Sequence, residues 1–370
     1  MSFLVREITI QDGIEDFLSL PMEIYKDNPN RIAPQNAEIM RVLNPVKNPY
    51  FLNASLKIYV CYSSGEPVCR SIMVINHHHW TRWKKKSAFF GFFESFEDVN
   101  AVRFLFEKIE SDCRSAGAEF LEGPFNPNHY SELGILTDNF NSKPAFFETY
   151  NPPYYPALLK GADFGECYRF HTRKNNDISS MLAKKYKSSN DEVPSKHITI
   201  RKFNIFRFKK DLGILREINN DAFNNNTFFL PLSIEEYKFS AKYLFLVTRP
   251  GLIMIAEHNG IPVGAAQFVI DINNLVRTYN GGINAWQIPG FLWKRRKIKE
   301  LIIFTAGVKK TFRKTRVFSV MLKSAVKIFR DYSAISTTWI SDENLGANLD
   351  DLLEMKPDKH FAIFSKHLQN

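Results

Sequence analysis

With 370 residues, 44% of them hydrophobic and 24% charged, the chain is too long for one ordinary domain and too apolar to be disordered. No apolar run reaches the roughly 18 residues that span a bilayer, and Met1 to Gln11 alternates like a strand rather than a signal peptide, so a cytoplasmic protein is expected. The net charge of +10 asks for an anionic partner.

Leu56 to Tyr62 reads as a strand, Ser63 to Glu66 as a turn and Pro67 to Ile75 as the returning strand of a hairpin. His77-His78-His79 follows. On a strand alternate side chains face opposite ways, so at most His77 and His79 converge, and no metal is expected there. Cys61, Cys69, Cys113 and Cys167 lack zinc-knuckle spacing and read as buried thiols. Ala88 to Phe93 forms a third strand and leads into a helix from Phe96 to Ala116, with Val99, Val102, Leu105, Phe106 and Ile109 on one face. Gly117 ends that helix, and Glu119 to Gly123 is a fourth strand.

A polar, lysine-rich run from Arg173 to Lys196 reads as a linker. Beyond it the same order recurs: a hairpin of Leu252 to Glu257 with Pro262 to Ile270, a strand at Leu301 to Val308, a helix at Val317 to Asp331 and a strand at Ala334 to Ser341. Gly65-Glu66-Pro67-Val68 and Gly260-Ile261-Pro262-Val263 share a Gly-x-Pro-Val exit from the turn, as a duplication would leave. The second copy carries an insertion near 271–299 that the first lacks. These patterns predict an α+β protein of two domains, 1–185 and 198–370, each a mixed central sheet flanked by helices.

The positive charge is clustered at Trp80 to Lys86, at Phe291 to Lys299, and at Lys309, Lys310, Arg313, Lys314 and Arg316. Tryptophan beside lysine and arginine suits an anionic membrane surface or a polyanionic ligand. Nucleic acid is not expected. The segment Glu122 to His129 leaves a strand directly into a stiff polar turn, followed by Ser131 to Leu136 and Glu148 to Tyr155, and loops at strand ends are where sites are built.

Gly123-Pro124-Phe125-Asn126, the pair Ile135-Leu136 before Asp138, Asn151-Pro152-Pro153-Tyr154-Tyr155 and Trp339-Ile340-Ser341-Asp342-Glu343-Asn344 resemble the hallmarks of a bacterial branch of paired GNAT (general N-acetyltransferase) proteins. The likeness runs from about Phe89 to the C-terminus, and the branch also resembles the bacterial ceramide synthases. The resemblance implies two GNAT-like domains and an N-acyltransferase that moves an acyl group from acyl-CoA, a co-substrate rather than a bound cofactor, to an amine. The acceptor would be a long-chain lipid amine met at the inner face of the membrane. A small-molecule or peptide N-acetyltransferase and a non-catalytic ligand-binding protein of the same fold are the alternatives.

Such a reaction needs a base for the amine and donors for the oxyanion. His129 and Glu132 are the candidate bases, and Tyr154 and Tyr155 the candidate proton donors to the leaving thiolate. Asn126, Tyr150, Asn151, Trp339 and Asn344 are candidates for binding substrate. A GNAT protein usually cradles pyrophosphate in a glycine-rich turn at a helix N-terminus; here the turn reads Phe312-Arg313-Lys314-Thr315-Arg316-Val317, without glycine. Side-chain charge from Lys309, Lys310, Arg313, Lys314 and Arg316, with Thr315, is expected to hold the phosphates instead. The first copy's counterpart, Phe93 to Asp98, is acidic and should repel them.

Overall fold

The computed structural model describes all residues except 1, 31, 33–34, 187–196, 244–246, 250, 280–282, 343–351 and 370. It divides into two compact units, one of Met1–Phe170, Val276–Ile283 and Lys359–Asn370 and one of His171–Leu275 and Asn284–Asp358.

The first part of the chain forms β1 (Phe3–Ile8), α1 (Ile14–Ile24), α2 (Asn36–Val42), β2 (Ala54–Ser63), β3 (Glu66–Asn76), α3 (His77–Trp83), β4 (Ser87–Ser95), α4 (Val99–Ser115), β5 (Phe120–Gly123), β6 (Ile135–Leu136), α5 (Tyr155–Gly161) and β7 (Gly165–Asn175). The second part forms α6 (Ile178–Lys185), β8 (Ile198–Lys202), α7 (Phe208–Ala222), α8 (Ile234–Ser240), β9 (Ile253–His258), β10 (Ile261–Ile270), α9 (Asn273–Arg277), α10 (Ile288–Lys294), β11 (Glu300–Val308), α11 (Val317–Phe329), β12 (Ala334–Thr337), β13 (Ile340–Ser341) and β14 (Lys356–His367).

The two copies repeat in their turns as well as in their order. Ser64 and Gly65 between β2 and β3 have φ of 53° and 89°, and Asn259 and Gly260 between β9 and β10 have φ of 51° and 79°. Two successive positive φ angles match the right-handed twist of a two-residue hairpin, and Gly adopts the second without strain. In the first unit the sheet runs β1-β2-β3-β4-β5-β14, and in the second β8-β9-β10-β11-β12 continues to β7. Neighbours are antiparallel except β4 with β5 and β11 with β12, which are parallel at equivalent places.

The closing strands are where the sequence order and the fold part. β14 ends the chain but pairs with β5, His367 facing Phe120 and Phe364 facing Gly123, so the C-terminus completes the first unit. The end of β7 pairs with β12, Ile335 facing Asn175, and belongs to the second. Domain limits of 1–185 and 198–370 therefore need correcting at the closing strands, and residues 187–196 of the expected linker lie outside the described residues. The Lys359 ammonium at the base of β14 meets the Glu148 carboxylate at 3.0 Å, with the two side chains 2% and 4% exposed. Removing one partner of so buried a pair strands the other charge, at about 3–5 kcal/mol.

Helix α4 shows why the first core forms where it does. Asp98 caps it by accepting from the N–H groups of Asn100 and Ala101, and Ala116 and Gly117 close its end. Val102, Leu105, Phe106, Ile109 and Cys113 recur at helical spacing and are buried against the sheet. Phe106 meets Phe90 and Phe164 at ring-centroid distances of 5.1 and 4.7 Å. Each such side chain contributes roughly 1.5–3 kcal/mol by leaving water. In the second unit α11 buries Val317, Met321, Ala325 and Phe329 on one stripe, and Gly264 of β10 leaves room for Met321.

The histidine run is a helix and not a strand. Asn76 accepts from the N–H groups of His78 and His79 and so starts α3, which turns His79 inward and buries it at an edge-on contact of 4.7 Å with Phe89. Burial pushes the His79 imidazole down to about 4, with Lys85 and Arg82 adding to the fall, so it is neutral at pH 7.

Candidate active site

The site of the first unit begins at a kink in β4. Arg70 pairs with Glu94 but Ile72 pairs with Gly91, so β4 holds an extra residue there, and Phe92 takes a φ of 47°. Past the kink β4 and β5 no longer pair, and the chain leaving β5 covers the gap. Phe125 N–H donates to the Phe90 carbonyl at 2.8 Å, and the Asn126 side-chain oxygen accepts from Phe92 N–H at 2.6 Å. A Cβ on Gly91 would lie 1.7 Å from the Phe125 carbonyl oxygen, so the backbones touch as closely as glycine allows.

Beyond the kink stands a cluster that the sequence reading missed. Tyr25 and Tyr155 both donate to one oxygen of Glu94, at 2.8 and 2.6 Å, and the other oxygen faces the Arg70 guanidinium at 3.9 Å. Arg70 lies 4.2 Å over the Phe17 ring and donates to the Phe17 carbonyl. Burial pushes the Glu94 carboxyl up, while Arg70 and the two phenols pull it down. Tyr155 also accepts from Ser95 N–H at 2.9 Å and is fully buried, so burial and the Glu94 charge keep it protonated. The sequence signal was available in principle. Arg70 is a charged residue inside the apolar strand Val68 to Ile75, and Glu94 directly follows the apolar run Ala88 to Phe93.

Glu132 lies on the loop after β5. More than a third of its surface is open, yet protein walls its other sides and pushes its carboxyl up to about 7; a hydrogen bond with Asn126 pulls against this, and the Glu94 charge adds to it. Water reaching the open side limits the rise. His129 is buried with its ring 4.1 Å from that of Tyr130. Tyr154 is half-buried, donates to the Ser95 carbonyl at 3.0 Å, and is pushed up to about 12 by burial, with Glu94 adding to it.

Besides Asn126, held by Phe92 N–H, two further candidates for binding substrate are occupied by the scaffold. Asn151 is buried and holds β6 by accepting from Leu136 N–H at 2.7 Å and donating to the Leu136 and Pro152 carbonyls. The Tyr150 hydroxyl accepts from the Asn28 side-chain N–H at 3.0 Å and donates to the Phe140 carbonyl at 3.2 Å. In the second unit Trp339 is half-exposed and follows Thr338, whose hydroxyl donates to the Phe304 carbonyl at 2.9 Å. Asn344 lies outside the described residues.

The basic turn of the second unit runs from the end of β11 to the start of α11. Lys309 pairs with Glu217, the Lys310 ammonium donates to Asn225 at 2.9 Å, and Arg313 donates to the Ala222 carbonyl, so these three cations brace the turn against α7 and the residues after it. Thr315 donates to the Phe312 carbonyl at 2.6 Å. Lys314 and Arg316 are exposed, Arg316 is the residue at which α11 begins, and its side chain does not cap that helix. Val317 N–H donates to the Thr315 hydroxyl at 3.4 Å, and a helix start without a cap from Arg316 and with cations beside it favours an anion.

No family model matches the sequence. The chain is 26% identical to Protein YghO of Escherichia coli K12, with 99% of this chain and 95% of the relative covered. It is 24% identical to the bacterial ceramide synthase of Caulobacter vibrioides, over 90% of this chain and 88% of the relative. A tandem GNAT protein from the clavulanic acid biosynthesis pathway superposes with a TM-score of 0.57 at 10% identity, covering 100% of this chain and 99% of its own. Among the described residues no helix is long and apolar enough to cross a membrane. The chain is thus a tandem-domain protein of GNAT fold, similar along most of its length to the branch that includes the bacterial ceramide synthase.

Proposed function

We propose that the protein is an acyl-CoA dependent N-acyltransferase whose general base is Glu132. The observation that carries this reading is a carboxyl pushed up to about 7 yet open on one side. A carboxyl raised toward that value, with water at its open side limiting the rise, is ionised at neutral pH and takes a proton more readily than an ordinary carboxylate. The acceptor nitrogen forms a bond to the thioester carbonyl carbon, Glu132 removes its proton, the C–S bond breaks, and coenzyme A leaves as a thiolate. Tyr154 holds its proton up to about 12, whereas a thiol titrates near ~8.5, so transfer from Tyr154 to the thiolate runs uphill. Its proton is already given to the Ser95 carbonyl, so the tyrosine oxygen is left to accept a hydrogen bond from the substrate, and the thiolate takes its proton from protonated Glu132 or from water. Glu94, with Tyr25, Tyr155 and Arg70, acts by fixing the β4 kink and by raising Glu132 through its charge. Independently of Glu132, the start of α11 in the second unit, with Lys314 and Arg316, is assigned to an anionic group of a ligand such as a phosphate of coenzyme A.

The likeness to a ceramide synthase supports a long-chain amine as acceptor and a long acyl group as donor. Release of coenzyme A thiol from acetyl-CoA and palmitoyl-CoA across a panel of short and long-chain amines tests the proposal. Glu132→Gln is expected to lower the rate by roughly a hundredfold or more and to remove the limb of the pH profile near 7, with coenzyme A binding retained. One observation favours a second reading, a ligand-binding protein without catalysis: Phe92 N–H at the β4 kink is already engaged by Asn126. Background thiol release with every amine, despite saturable coenzyme A binding, would decide for it.

A further inference from the structure

The inserted segment between β10 and β11 is a short amphipathic element turned inside out. Phe291 is fully buried, with Ile288, Leu292 and Arg295 beside it on the same helical face, and the Arg295 carbonyl accepts from Arg249. Gln287 closes the start of the element by accepting from Asn284 N–H at 2.9 Å. The opposite face carries Trp286, Pro289, Gly290, Trp293, Arg296 and Lys297, all exposed, at the spacing of successive helical turns. Trp286 is 77% and Trp293 58% exposed, although indole is among the side chains that gain most from leaving water. The Lys297 ammonium stands 4.4 Å from the centre of the Trp293 ring. From 272 to 299 the sequence has no aspartate or glutamate, while Arg277, Lys294, Arg295, Arg296, Lys297 and Lys299 are basic.

We infer that this face docks the protein on an anionic bilayer surface, with Trp286 and Trp293 at the level of the headgroups and Lys294, Arg296 and Lys297 on lipid phosphates. Indole prefers the boundary between hydrocarbon and water, and each cation near an anionic leaflet strengthens binding about fivefold. The chemistry is that of a peripheral helix and needs no spanning segment. It stands independently of acyl transfer.

The test uses the full-length protein with sedimentable vesicles of phosphatidylcholine alone and of phosphatidylcholine mixed with phosphatidylglycerol, at low and raised salt. Binding is expected to the anionic vesicles only, to weaken with salt, and to shift tryptophan emission to the blue. Trp286→Ala with Trp293→Ala should lower the partition coefficient by roughly tenfold or more. Lys294→Gln, Arg296→Gln and Lys297→Gln together should lower it by roughly a hundredfold. All five side chains are exposed, so an unchanged melting midpoint is the control for folding. Failure to sediment with anionic vesicles at low salt would overturn the inference and leave this face to another kind of partner. Binding that both sets of substitutions leave unchanged would overturn it as well, by placing the contact elsewhere.

Discussion

The turn after β4 and the turn after β11 occupy the same place in two copies of one fold, and they have diverged in opposite directions. In the first, Asp98 turns its own carboxylate onto the N–H groups that open α4, and Ser95 is bonded through both its N–H and its carbonyl to Tyr155 and Tyr154. In the second, α11 opens without a cap from the Arg316 side chain and with Lys314 and Arg316 exposed beside it. An anion brought to the first turn meets a charge of its own sign on donors already satisfied; at the second it meets cations beside a helix start that its N-cap residue leaves uncapped. Under the proposed function, divergence of the two copies leaves the second turn to bind the anionic end of a ligand, while the first carries the carboxylate cluster.

The strongest way to break the comparison is to unfasten the first unit's scaffold. Glu148→Ala should remove about 3–5 kcal/mol of stability by stranding Lys359, read as a lower urea midpoint. Uncapping the first turn is milder: Asp98→Ala should cost about 1 kcal/mol and, by opening the start of α4, make the two turns more alike. A pH series sharpens the contrast at Glu132. Its carboxyl sits near 7 in the fold and near ~4.3 in the unfolded chain, so between those values the native state holds the extra proton. Stability contributed by that proton is present at about pH 4 and is lost as the pH rises to about 7. Glu132→Gln should flatten this fall, gaining on the wild type in urea midpoint between about pH 5 and about pH 8. The smallest effect on stability belongs to the second turn, where Arg316→Ala should move the midpoint by less than about 0.5 kcal/mol because the side chain is exposed.

Much of the fold was legible because it is local. The hairpins announce themselves through Ser64-Gly65 and Asn259-Gly260, and α4 and α11 through apolar residues at helical spacing. The exchange of β14 was not legible, since nothing in Lys356 to His367 names Phe120 to Gly123 as its neighbour. His77 to His79 was misread because the run gives no period, although Asn76 before it is a helix cap in both residue type and position. At the site, the turn chemistry around Asn126 pointed to Glu132, which lies four residues beyond Asn128. The Glu94 cluster stayed hidden because Tyr25, Arg70, Glu94 and Tyr155 are brought together only by packing. Asn151 was read as facing substrate because a buried asparagine that binds backbone and one that binds ligand look alike in sequence.

The most direct test of the divergence is a calorimetric titration of coenzyme A into the wild type, the Lys314→Ala/Arg316→Ala pair and Glu132→Gln. The account predicts saturable binding to the wild type, weakened by roughly tenfold or more in the pair and unchanged in Glu132→Gln. Absence of binding to the wild type, or equal affinity in the pair, would contradict it.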